Sequence, residues 1–89
     1  MLDKRVVVSG LGMVSPIGLN VEESWIAAIN ARSGVRKITA FDVSQYPVQI
    51  AAPIKSGFSA AHVVEPKELS RVSNFCQFSL VAAHEAIMD

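Results

Sequence analysis

The run VVVSGLGMVSPIG at residues 6–18 constrains the fold of this chain more than any other stretch. Val6, Val7 and Val8 are consecutive β-branched residues, the pattern of a strand covered on both faces. Gly10, Gly12 and Gly18 allow backbone angles that a Cβ would forbid, and Pro16 fixes φ where the chain has to turn. A buried strand running into a tight loop is therefore predicted.

Such a loop has several chemical readings, and the spacing separates them. Gly10 and Gly12 after a strand resemble the start of a dinucleotide fingerprint, but the third glycine of that motif is replaced by Ser15, followed by Pro16. The next helix begins near Asn20, too late for its N-terminus to hold a pyrophosphate at Gly10. A P-loop would need a Gly-Lys-Ser/Thr that does not follow. Ser15 is not a nucleophile elbow either, because Met13 and Ile17 occupy the flanking glycine sites. It reads as a turn residue whose hydroxyl satisfies loop backbone.

Composition narrows the function classes further. The 89 residues fit one small domain at most, yet 51% are hydrophobic and only 18% charged. So much apolar surface predicts packing against further chain. The formal net charge of zero argues against a nucleic-acid groove or a polybasic membrane anchor. No apolar run is long enough to span a membrane, and the polar stretch from Ser9 breaks the apolar region after Lys4 and Arg5 too early for a signal peptide. One cysteine, Cys76, leaves no internal disulfide and fits a reducing cytoplasm. No internal repeat or low-complexity tract is present.

Along the chain, Asn20 with Glu23 three residues on predicts a capped helix start. Trp25, Ile26 and Ile29 give that helix its apolar face, and Ser33-Gly34 its stop. Residues 35–47 read as an irregular connection pinned by Ile38, Phe41 and Tyr46. Residues 48–54 alternate, which predicts a half-buried strand that ends, or lies at a sheet edge, at Pro53. A loop over residues 56–64 holds Gly57 and His62. From Pro66, the spacing of Leu69, Val72, Cys76, Leu80, Ala83 and Ile87 predicts one long helix of about 35 Å, apolar over a wide arc. Asp89 arrives with that pattern still helical and no glycine stop, as in a helix cut before its cap.

In order and spacing, the opening run, the helix with Trp25, Arg32-Ser33-Gly34, Phe41-Asp42, the stretch from Val48 to Lys55 and Phe75-Cys76-Gln77-Phe78 resemble the start of a β-ketoacyl-[acyl-carrier-protein] synthase of the elongating, type II kind. The resemblance covers essentially the whole chain, although such enzymes are several times longer. It implies an α/β fold, the N-terminal portion of a thiolase-like layered α/β/α/β/α architecture, with residues 1–89 the first part of the synthase N-terminal domain. It implies an enzyme of fatty acid biosynthesis, cytoplasmic and homodimeric, that condenses a cysteine-bound acyl group with malonyl-acyl carrier protein by decarboxylative Claisen chemistry and needs no dissociable cofactor. A polyketide ketosynthase or a chain-length factor lacking the nucleophile shares these features, and a Rossmann-like nucleotide-binding module is the alternative from another class.

None of the family's catalytic groups maps onto residues 1–89, so the chain is expected to be inert alone. Cys76 is mid-helix on the packed stripe, where a thiol acts as a small hydrophobe. His62 and His84 stand 22 positions apart, with no further ligand at metal spacing, and read as structural or solvated. No metal or cofactor site is expected. Lys67 and Arg71, four apart at the start of a helix, share a side near the pole where positive charge is unfavourable, which predicts an external anionic partner. They match two positions of the basic patch that, in related synthases, resembles a docking site for acyl carrier protein, while Ser70 replaces a third basic residue. Glu65 and Glu68 nearby leave a mixed solvated surface as the other reading.

Overall fold

In the computed structural model, which describes residues 4–89, the first regular element is helix α1, Val21–Ile29. Asn20 caps it as predicted, its Oδ1 accepting from the Glu23 amide at 2.8 Å. Glu23 reaches back to the Leu19 amide at 3.3 Å and takes a second bond from the Asn20 side chain at 3.2 Å. The helix ends at Ile29, five residues before Gly34. Ala31 adopts φ +55°, its amide donates to Ala28 O at 3.1 Å, and the Arg32 amide donates to Ala27 O at 2.9 Å. These two bonds form a complete Schellman cap with alanine in the position glycine normally fills. The buried face also differs from the expected one: Ser24 and Ala27 are buried, whereas Trp25, Ile26 and Ile29 face outward. Small residues let this helix sit close to the chain beneath it.

The predicted strand at residues 48–54 contracts to β2, Ile50–Ala51, paired antiparallel with β1, Arg36–Lys37. Arg36 faces Ala51 and Lys37 faces Ile50, and the Ile38 amide adds a bond to Gln49 O at 2.9 Å. β1 falls inside the stretch read as irregular, because two adjacent cations carry no alternation to reveal a strand. The expected in–out pattern also fails over residues 48–50, although Ile54 is half-buried and Ala51 exposed as expected. Val48 and Ile50 are exposed, while Gln49 turns inward and its Nε2 donates to Val43 O and Tyr46 O, each at 3.2 Å. Phe41 and Tyr46 hold the same loop from outside, edge to face with ring centroids 6.5 Å apart.

The single long helix predicted from Pro66 is two elements. Pro66–Arg71 is a 3₁₀ helix, and α2 runs over Asn74–Met88. Val72 and Ser73 between them are extended, with ψ of 124° and 157°. Gln77 holds the break open: its side-chain amide donates to Val72 O at 2.9 Å and Leu69 O at 3.3 Å, satisfying carbonyls that a continuous helix would have bonded internally. The face α2 buries centres on Phe78, Val81, Ala82 and Glu85 rather than on the Cys76, Leu80, Ala83, Ile87 line.

The elements are thus a mixed α/β set around a small core of Ala60, Val64 and Val81, packed on by Val14, Phe58, Val63, Leu69 and Val72. Phe58 and Phe78 close it edge to face at 4.9 Å. Val6, Val7 and Val8 form no strand, and Val6 is 98% exposed. A strand covered on both faces needs neighbours, and no described residue pairs with these three. The chain exposes 7208 Å², against about 5,100 Å² for a folded monomer of its mass. Its radius of gyration is 16.8 Å, where about 12 Å is ordinary for this length. Much of the excess is apolar, including Phe75, Leu80, Ile87 and Met88 on the open side of α2. Among the described residues, no helix is long and apolar enough to cross a membrane.

Two outcomes are expected. The isolated 89 residues will bind a hydrophobic dye strongly and melt without a cooperative transition; a sharp calorimetric peak from a monomer would contradict the exposed-core arrangement. In the full-length protein, Ala31→Gly will stabilise by about 0.5–1 kcal/mol in denaturant titration, because glycine removes the left-handed penalty at the cap.

Candidate functional site

The glycine-rich loop lies across α2, and its glycines serve approach rather than unusual angles. Gly57 is the one glycine with positive φ among the described residues. A Cβ at Gly12 would fall on the Ala82 carbonyl oxygen, and one at Gly10 on that of Ala86. With backbone lying directly on backbone, the carboxylates of Glu85 in α2 and of Asp89, the residue that follows it, reach the loop amides. Glu85 Oε1 accepts from the Met13 amide at 2.9 Å, and Asp89 Oδ2 from the Leu11 amide at 3.1 Å. The other Glu85 oxygen accepts from the Val21 amide at 3.1 Å, an N–H at the start of α1 that has no partner inside its own helix. Glu85 therefore joins the loop, α1 and α2 through one carboxylate. Loop amides that a phosphate would need are already bonded to the protein's own anions, which closes the nucleotide reading on chemistry as well as spacing.

Ser15 acts as expected of a turn residue. Its Oγ accepts from the Gly18 amide at 3.1 Å and the Ile17 amide at 3.3 Å, and shares a 2.8 Å bond with the Oγ of buried Ser24. The Lys55 amide donates to Ser15 O at 3.2 Å, fastening the chain after β2 to the same turn. Lys55 Nζ also meets Glu23 Oε1 at 3.2 Å. The bond from the Leu19 amide, followed by the lysine, holds the Glu23 carboxyl below its ordinary value of 4.5. That contribution is complete above the ordinary value and lost as pH falls through the lowered native one.

Lys67 and Arg71 are both exposed, but on a 3₁₀ helix rather than the α-helix assumed from their spacing. Three residues per turn put positions four apart about 120° round the axis, so the two cations point in different directions. Ser70, three residues after Lys67, shares its edge instead. Lys67 Nζ stands 3.6 Å from Glu65 Oε2 with both side chains in solvent, a contact of little energetic weight. Cys76 is half-buried and is the third residue of α2, not mid-helix, because the helix starts eight residues later than its pattern implies.

Sequence spacing gave no sign of one meeting. His62 and His84 come together with ring centroids 5.6 Å apart, in a cleft shared with Asn20, Phe58, Ser59 and Glu85. Glu85 itself carried a faint signal, as a carboxylate on the same helical stripe as Val81 and Ala82.

This chain belongs to the β-ketoacyl synthase family: residues 3–89 match the family's N-terminal domain. Its relatives include proteins named 3-oxoacyl-[acyl-carrier-protein] synthase 2. That of Coxiella burnetii is 42% identical over 89 residues, covering 100% of this chain and 21% of the relative. The Staphylococcus aureus protein of strain COL is 39% identical over 87 residues, covering 98% and 21%, and the Synechocystis protein 37% over 86, covering 97% and 20%. The chain thus spans about a fifth of the length of the relatives it matches.

Replacing Glu85 by alanine in the full-length protein will cost about 1–3 kcal/mol in chemical denaturation, since the Met13 and Val21 amides both lose their acceptor. An unchanged midpoint would mean that these amides find solvent instead.

Proposed function

We propose that the whole protein is a 3-oxoacyl-[acyl-carrier-protein] synthase that extends acyl chains in fatty acid biosynthesis. The observation carrying this reading is the 37–42% identity to synthases of that name along nearly the whole chain. In the reaction, the bond between malonyl C2 and its carboxylate breaks and carbon dioxide leaves. The freed electron pair forms a bond to the acyl carbonyl carbon, and the enzyme's cysteine thiolate departs. Donors near the thioester stabilise the enolate and the oxyanion. The cysteine and its histidine partners lie outside residues 1–89, which are inert alone.

The same reading extends to architecture. Residues 1–89 form the first part of the N-terminal domain of a thiolase-like layered fold in a cytoplasmic homodimer. Exposed Val6, Val7 and Val8 become an inner strand there, and the open side of α2 packs against later chain. The surplus apolar surface supports this, because a layered fold supplies the cover that this chain lacks.

Lys67 and Arg71 contact acyl carrier protein. Exposure of both supports this, and their divergent directions make them two separate contacts rather than one patch. Full-length enzyme is expected to release carbon dioxide from malonyl carrier protein in the presence of an acyl primer; absence of that release would overturn the assignment. Lys67→Glu and Arg71→Glu will each raise KM for carrier-protein substrates by roughly tenfold and add in the double variant, while a pantetheine thioester is turned over as before. Equal losses with both substrates would place these residues in folding instead.

A further inference from the structure

We propose that His62 and His84 form a two-histidine seat for a borderline divalent transition cation, of the kind represented by Zn²⁺ and Cu²⁺. The two come from separate segments, the turn before the 3₁₀ helix and the C-terminal third of α2, and meet at a cleft of about 390 Å³. Their ring centroids are 5.6 Å apart and their planes 78° from parallel. Zinc–imidazole bonds are about 2.0–2.1 Å, so two rings on one tetrahedral ion stand with centroids roughly 5.2 Å apart. The observed separation needs little adjustment to reach that value. Both histidines are exposed to solvent.

The surroundings favour a cation. Glu85 is the other titratable group lining the cleft, and its carboxylate brings negative potential to the imidazoles. Each of its oxygens already accepts a backbone amide, so it acts through space while remaining fixed in position. Among the described residues, no group of three or more His, Cys, Asp or Glu gathers to hold a metal. Within residues 4–89 the remaining coordination positions are open to water. Imidazole nitrogens select zinc, copper or nickel over magnesium or calcium, which prefer oxygen. Coordination would clamp the 56–64 loop to α2 at the edge of the core formed by Ala60, Val64 and Val81.

Tag-free, full-length protein titrated with Zn²⁺ at pH 7.5 in a calorimeter tests the seat. Wild type is expected to bind with micromolar affinity, and His62→Gln and His84→Gln each to weaken that binding by about tenfold or more. Folding of each variant is checked by its melt in the presence of a chelator. If either variant fails to fold, the electron paramagnetic resonance spectrum of Cu²⁺ on wild type decides by showing, or not showing, two equatorial nitrogens that the folded variant reduces to one. Absence of binding, or isotherms and spectra unchanged in the variants, would leave the rings as a simple edge-to-face pair and overturn the proposal.

Discussion

One carboxylate, that of Glu85, organises this part of the molecule. It accepts the Met13 amide with one oxygen and the Val21 amide with the other, so a loop, the start of α1 and the face of α2 share a fixed point. Bonds of this kind are strong only if the backbone can come close. The bare Cα atoms of Gly10 and Gly12, pressed on the carbonyls of Ala86 and Ala82, provide that approach. The glycines and the acid are thus two halves of one device, separated by some 70 residues of sequence. Glu85 also places a negative charge at the positive end of α1, adding electrostatic support to a geometric anchor.

The division of labour between local and distant forces explains which features could be read beforehand. Asn20 capping α1 and Ser15 gathering turn amides are governed by neighbours in sequence, and both are legible there. The Glu85 and Asp89 bonds to the loop span more than 70 positions and are decided by packing, so no local pattern announces them. Glycine roles were legible by position and not by mechanism: the sequence marks where the chain lacks side chains, and only the fold tells that α2 occupies their place.

The misread helix shows why apolar periodicity misleads. Leu69, Val72, Cys76 and Leu80 keep a helical rhythm across a point where the backbone is extended at Val72 and Ser73. Ser73 and Asn74, both good starters of helices, were the local sign of a second beginning. The consequence for Lys67 and Arg71 is larger than a shifted boundary, because a change from α to 3₁₀ winding rotates one cation away from the other. Burial was misjudged for a different reason. Trp25, Ile29, Phe75 and Ile87 look like core residues by type, and in this stretch of chain they have nothing to pack against.

That uncovered state bears on how such a protein is made. Val6, Val7 and Val8 emerge from the ribosome ahead of α1 and α2, with apolar side chains in water and no described strand beside them. The relatives are about five times as long as this chain, and at about 5–20 residues per second synthesis of such a length takes on the order of tens of seconds. Along such a chain the three valines are made before the loop, α1 and α2, and the Glu85 carboxylate that anchors those elements follows more than 70 residues later. The nascent protein therefore carries a sticky apolar segment ahead of its first anchor, which chaperones are suited to shield.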